Sequence, residues 1–138
     1  MSTPYPVRVA ADEVAALPGV IALGVPVRLD ELAPGDGKGP GEYKRVIVVA
    51  LYDGTPRIGV PVRSTKLIVR CYGTTRGDAW QVWCAVEPAF TNRRARLSSD
   101  RLGVWHSTVV SVTPDLDPDT KQPVVYAIVD YPTTPYAI

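Results

Sequence analysis

Six consecutive apolar residues, Val46-Ile47-Val48-Val49-Ala50-Leu51, leave few folds open to this chain. A strand turns alternate side chains to opposite faces, so an unbroken apolar run is apolar on both sides. Such a run belongs in the middle of a sheet with both faces covered. Tyr43 to Tyr52 is therefore read as a central strand. Asp53-Gly54 follows as a turn signal, and Val62 to Tyr72 forms the next strand. There Leu67, Val69 and Cys71 share one face, and Lys66, Ile68, Arg70 and Tyr72 the other. The two strands are expected to pair as an antiparallel hairpin.

A helix comes next. Ala79, Val82, Trp83, Val86 and Phe90 recur at helical spacing and make one apolar stripe. Thr75 or Asp78 supplies the N-cap. Pro88 lacks an N–H and clashes with the carbonyl four residues earlier, so a kink or early end is expected there. Trp80 and Cys84 stand one turn apart on the flank of the stripe.

Towards the N-terminus, residues 10–17 favour a short helix stopped by Pro18-Gly19. Val20 to Leu29 is β-rich, with Gly24 and Pro26 suggesting a bulge or an edge. Pro34 to Gly41 places four glycines at every second position and reads as a flexible loop, 34–42. Beyond the long helix, residues 91–103 form a polar, arginine-rich connection. Val104 to Val112 and Val124 to Tyr131 are strands, joined by a proline-braced loop over 113–123. Residues 132–138 read as an extended tail. The expected fold class is α+β. One mostly antiparallel sheet of about five strands carries a long helix across one face, with a short N-terminal helix. The whole chain is one domain, with its core over about residues 7–131.

The balance of charge narrows the function classes. Fifteen basic residues face fourteen acidic ones, a net charge of +1, which gives no global attraction to nucleic acid or anionic membrane. Residues 1–6 lack the pattern of a signal peptide, and no apolar stretch is long enough to span a bilayer. The expectation is use on the cytosolic side.

Candidate chemistry is sparse. Cys71 and Cys84 are the two cysteines and His106 the one histidine, so no four-residue zinc set of these types exists. Both cysteines are expected to be buried small hydrophobes. His106, between Trp105 and Ser107 in an expected strand, reads as a structural residue. Asp115, Asp117 and Asp119 have the opening spacing of a calcium loop. Thr120 and Tyr126, however, stand where that loop needs its glycine and its bidentate glutamate, so a run of Asx-Pro turns is the better reading. Gly37-Lys38 lacks the upstream glycine and the following Ser or Thr of a phosphate loop. Arg76-Gly77-Asp78 matches a short adhesion tripeptide but falls where a helix starts. No catalytic, cofactor-binding or metal-binding residue is assigned, and no cofactor is expected. Arg93, Arg94, Arg96 and Arg101 form the basic cluster. It is a candidate interaction patch, either between subunits or towards phosphate.

Three segments resemble the tail terminator (tail-completion) proteins of long-tailed, siphovirus-type phages. They are Lys44 to Pro56, a strand-turn segment; Leu67 to Trp80, a strand leading through Tyr-Gly-Thr into the long helix; and Asp117-Pro-Asp-Thr-Lys-Gln-Pro-Val-Val-Tyr126, before the last strand. The resemblance extends over residues 20–131. It implies a structural virion protein assembled in the bacterial host cytoplasm, and not an enzyme. Copies would form a homo-hexameric ring that caps the tail tube, meeting the tube protein and the head–tail connector or head-closure protein, with DNA only passing through the lumen. Ring contacts would be heterologous, and the loops 34–41 and 113–123 and the tail 132–138 are natural places for them. A head-closure protein or a tube subunit fits the same size class. A nucleic-acid-binding module using the arginine cluster is the alternative of a different kind.

Overall fold

The computed structural model describes residues 5–33, 36, 43–56, 63–91, 95–97 and 103–134. Five strands of three residues or more carry the sheet: β1 (Val27–Leu29), β2 (Val46–Pro56), β3 (Arg63–Tyr72), β6 (Thr108–Leu116) and β7 (Pro123–Asp130). Three two-residue strands, β4 (Arg96–Leu97), β5 (Gly103–Val104) and β8 (Thr133–Thr134), extend it. The main order is β1-β2-β3-β7-β6, and Arg63 of β3 pairs with Thr133 of β8, which leads on to β5 and β4. β1 runs parallel to β2, so the sheet is mixed, while the other pairings are antiparallel.

The apolar run behaves as its pattern requires over its first four residues only; Ala50 is half-buried and Leu51 exposed, so the expected cover on both faces ends at Val49. Val46, Ile47, Val48 and Val49 are all fully buried, two on each face of the sheet. On one face Ile47, Val49, Leu67, Val69, Cys71, Val125, Ala127 and Val129 meet the helices. On the other, Val46, Val48, Tyr72 and Val124 form a smaller cluster packed by Leu32 and Tyr126. β2 and β3 form the expected hairpin, but Asp53-Gly54 does not turn the chain. It lies within β2, after a register shift between Leu51 and Asp53, because continued pairing with Lys66 and Thr65 outweighs the local turn preference.

The long helix, α3 (Arg76–Val86), starts at Thr75, whose side chain accepts from the Asp78 N–H. Ala79, Val82, Trp83, Val86 and Phe90 are buried as the stripe demands. Removing the indole of Trp83 would cost about 3–5 kcal/mol on that basis. At Pro88 the α-helix has given way to a 3-10 turn, Glu87–Ala89. Phe90 then meets Tyr131 edge to face at 6.2 Å.

The N-terminal reading needs correcting. Helix α1 is Pro6–Ala15, not 10–17, and buries Val7, Val9, Ala10, Ala11 and Val14. Residues 20–23, expected as the start of a strand, instead join Pro18-Gly19 in a second helix, α2 (Pro18–Leu23). Pro18 does not merely stop α1; at the first position of α2 its fixed φ suits a helix start. Gly24, in the left-handed region at φ 65°, caps α2 rather than making a bulge. A Cβ on Gly19 would sit 3.5 Å from the Ala85 Cβ, so α2 packs closely on α3. That contact overrides the strand preference of Val20 and Ile21.

The C-terminal half also differs. The strand expected over 104–112 is split by Trp105–Ser107, and β6 continues to Leu116. The expected loop 113–123 shrinks to Asp117–Gln122, because Thr113 to Leu116 keep pairing with Tyr126 to Pro123. Thr133 and Thr134 of the expected tail are buried in β8, while 135–138 lie outside the described residues. So does the glycine loop 34–42, except Asp36, whose carboxylate takes the Arg28 guanidinium at 3.2 Å and the Ala33 N–H at 2.9 Å. Among the described residues, no helix is long and apolar enough to cross a membrane.

Candidate functional site: the corner joining three segments

At the lower end of β3 the chain leaves Tyr72, passes Gly73-Thr74 and enters α3. Gly73 is required here by proximity. A Cβ on it would stand 2.2 Å from the Ala79 N and 2.6 Å from the Ala79 Cα. Its N–H donates to the Pro123 carbonyl at 3.1 Å, and its carbonyl accepts from the Gln122 side-chain amide at 3.1 Å. The same amide donates to the Lys44 carbonyl at 2.6 Å. One buried side chain thus ties the start of β2, the exit of β3 and the entry of β7.

Asp117 organises the loop that supplies Gln122. Its Oδ1 accepts from the N–H groups of Asp119 and Thr120 at 2.9 and 3.0 Å, and its Oδ2 from the Tyr72 hydroxyl at 2.8 Å. Backbone bonds from Asp117 to Gln122 and from Lys121 to Asp117 close the turn, with Lys121 at φ 61°. Tyr43 adds a bond from its hydroxyl to the Thr120 carbonyl. Burial disfavours the Asp117 charge. The donors from Thr120, Tyr72 and Asp119 outweigh it and hold the carboxyl below its usual range. Burial, then the bond to Asp117, pushes the Tyr72 hydroxyl up.

Asp78 anchors the neighbouring side of the corner. The Arg45 guanidinium binds it through two nitrogens, Nε at 2.8 Å and Nη2 at 2.6 Å from Oδ1, and Thr74 donates through both its N–H and its hydroxyl. The ion pair with Arg45, against the cost of burial and with help from Thr74, lowers the carboxyl. Arg76-Gly77-Asp78 is therefore the first turn of a helix with its aspartate already engaged.

The sequence candidates separate clearly. Asp115, Asp117 and Asp119 do not converge; Asp117 faces inward while the other two are exposed. Among the described residues, no group of three or more His, Cys, Asp or Glu is placed to hold a metal ion. His106 is exposed in the link between β5 and β6 and not within a strand, because the pairing breaks there. Cys71 is buried as expected, with its thiol pushed up by burial. Cys84 is exposed, contrary to expectation, since it sits outside the stripe that faces the sheet. Both cysteines are free. Arg93, Arg94 and Arg101 lie outside the described residues, and Arg96 is described only as backbone in β4. Sequence reading missed the clamp made by Gln122. A glutamine between Lys121 and Pro123 has no periodic signal, and only the tertiary fold shows that it is fully buried.

The sequence matches no protein-family model and no curated protein at a significant level. The fold does have a counterpart. One solved chain, from the virion of a native gene transfer agent particle, superposes with a TM-score of 0.55. The match covers 95% of this chain and 99% of that one, at 18% identity. At that identity the likeness shows a shared fold, complete in both chains.

Proposed function

We propose that this protein is a structural part of a phage-type virion, and within that class a tail terminator. Six copies would close head to tail into a ring that caps the tail tube and joins it to the head–tail connector. DNA would cross the ring only as cargo, and assembly would take place in the host cytoplasm before the ring enters the virion.

One observation carries this reading. The three segments by which the sequence resembles tail terminators meet at one corner, through Lys44, Tyr72-Gly73 and Asp117–Gln122. They lie far apart in sequence and are bonded together in the fold. The whole-chain likeness to a component of a gene transfer agent virion supports the same class. The Gln122 amide nitrogen and the Asp117 carboxylate brace the frame of the sheet, a role that suits a part whose work is to fit against neighbours.

Electron microscopy of purified protein tests the reading, with native mass spectrometry to count subunits. Rings of six, alone or on added tube, are the expected result. Long tubes grown by this chain alone would make it a tube subunit and overturn the terminator role. Salt-sensitive DNA binding lost on replacing Arg93, Arg94 and Arg96 would favour the nucleic-acid reading instead.

A further inference from the structure

Seven large hydrophobic side chains are exposed among the described residues, and four of them stand on strands that are paired along one side only at that point. Leu51 and Tyr52 belong to β2, Val110 and Leu116 to β6. β1 covers β2 only from Ile47 to Val49. The chain then turns off the sheet at Asp30, φ 67°, and β2 runs on to Pro56 with no partner on that side among the described residues. At the far end of the sheet, β6 pairs with β7 alone among the described residues. Each open edge offers N–H and C=O groups to another strand, except at Pro56 in β2 and Pro114 in β6, which have no N–H.

The two edges are alike in a second respect. Both carry a register shift, at Leu51/Asp53 in β2 and at Val109/Ser111 in β6. In both, the residue passed over is an exposed hydrophobe, Tyr52 at 56% and Val110 at 58%. A bulge bends its edge and re-aims its side chain, so neither edge suits an arbitrary strand. Guarding charges are few: Ala50–Pro56 holds only Asp53, and Thr108–Leu116 only Asp115. The antiparallel pairings β2–β3, β3–β7 and β7–β6 make β6 run opposite to β2. Rotation of a copy about an axis roughly along the strands preserves that relation.

We propose that β6 of one copy pairs antiparallel with residues 50–56 of β2 in the next, so that the sheet runs on from subunit to subunit. The occupant is a second copy of this chain, because one molecule carries both open, bulged and oppositely directed edges. The contact is heterologous, as a ring needs, and the inference rests on the ring reading above. Since β1 fills the lower part of the β2 edge, the incoming strand is displaced along the strand axis. Strand tilt accommodates such a stagger when a sheet closes on itself.

The test is disulfide trapping in a Cys84→Ser background. Tyr52→Cys with Val110→Cys should oxidise to a ladder of dimers, trimers and larger species ending at the ring, whereas either cysteine alone should give no ladder. Efficient dimers from Val110→Cys alone would mean that like edges meet, and would overturn the proposal. Val110→Lys should raise the concentration for half assembly by about fivefold or more with an unchanged circular dichroism spectrum. Rings that form normally in Val110→Lys and Tyr52→Lys would remove the edge pairing and leave the ring reading standing. Absence of any ring from unmodified protein, with or without tube, would remove both.

Discussion

The Tyr72 hydroxyl donates to Oδ2 of Asp117 across 2.8 Å, joining the end of β3 to the loop that follows β6. Tyr72 is fully buried and Asp117 nearly so. Tyr72→Phe keeps the ring and removes the donor, leaving that carboxylate oxygen without the bond. The expected cost is about 1–3 kcal/mol, read from urea unfolding. The Asp117 carboxyl should also titrate higher in the variant, by NMR.

Acid should loosen the corner. Asp78 and Asp117 both have folded pKa values below the usual carboxylate range. For lowered groups the stabilisation is present above the unfolded pKa, about 4, and disappears as pH falls through the folded values. The urea midpoint should therefore hold steady from about pH 7 to 5 and drop below about pH 4. Arg45→Gln should flatten the part of that drop owed to Asp78. An unchanged acid profile in Arg45→Gln would show that the ion pair does not contribute.

Two glycines four positions apart should respond oppositely. Gly73→Ala drives a Cβ into the backbone of Ala79, an overpacking expected to cost about 2 kcal/mol or more. Gly77, in the first turn of α3, has nothing within 4 Å of a new Cβ. Gly77→Ala should be neutral or stabilising by about 0.5 kcal/mol. Thermal or urea denaturation of the pair separates crowding from backbone preference.

The cysteines should differ in reactivity. Cys84 is exposed on α3, while Cys71 is buried with its thiol pushed up. Brief maleimide treatment of native protein should add one label, at Cys84, by peptide mass spectrometry. Both should react in denaturant. Labelling of Cys71 in the native state would mean that the β2–β3–β7 core opens readily.

What was legible in the sequence was what burial writes into spacing. The β2 run, the alternation of β3 and the stripe of α3 each report which side of an element meets the core. The errors fall where a local preference lost to a tertiary contact. Val20 and Ile21 favour strand, yet α2 forms because Pro18 starts it, Gly24 caps it and Gly19 fits against Ala85. Asp53-Gly54 favours a turn, yet the ladder with β3 holds it extended. The corner was legible only in pieces. Its three segments were recognisable by resemblance, but their meeting point depends on Gln122, which nothing in its neighbours marks out.

β7 lies between β3 and β6, and its Pro123–Asp130 stretch fills the side of β3 away from β2. Its partner on that side lies more than fifty residues upstream, so completing the sheet closes a long loop late, at an entropic disadvantage. During synthesis the β2–β3 hairpin leaves the ribosome with one flank bare until residues 123–130 arrive. A polypeptide halted before that point would hold a hairpin and a helix without the strand that locks them together. Chains arrested there would be substrates for chaperones and proteases, so the order of strands exposes incomplete molecules to removal.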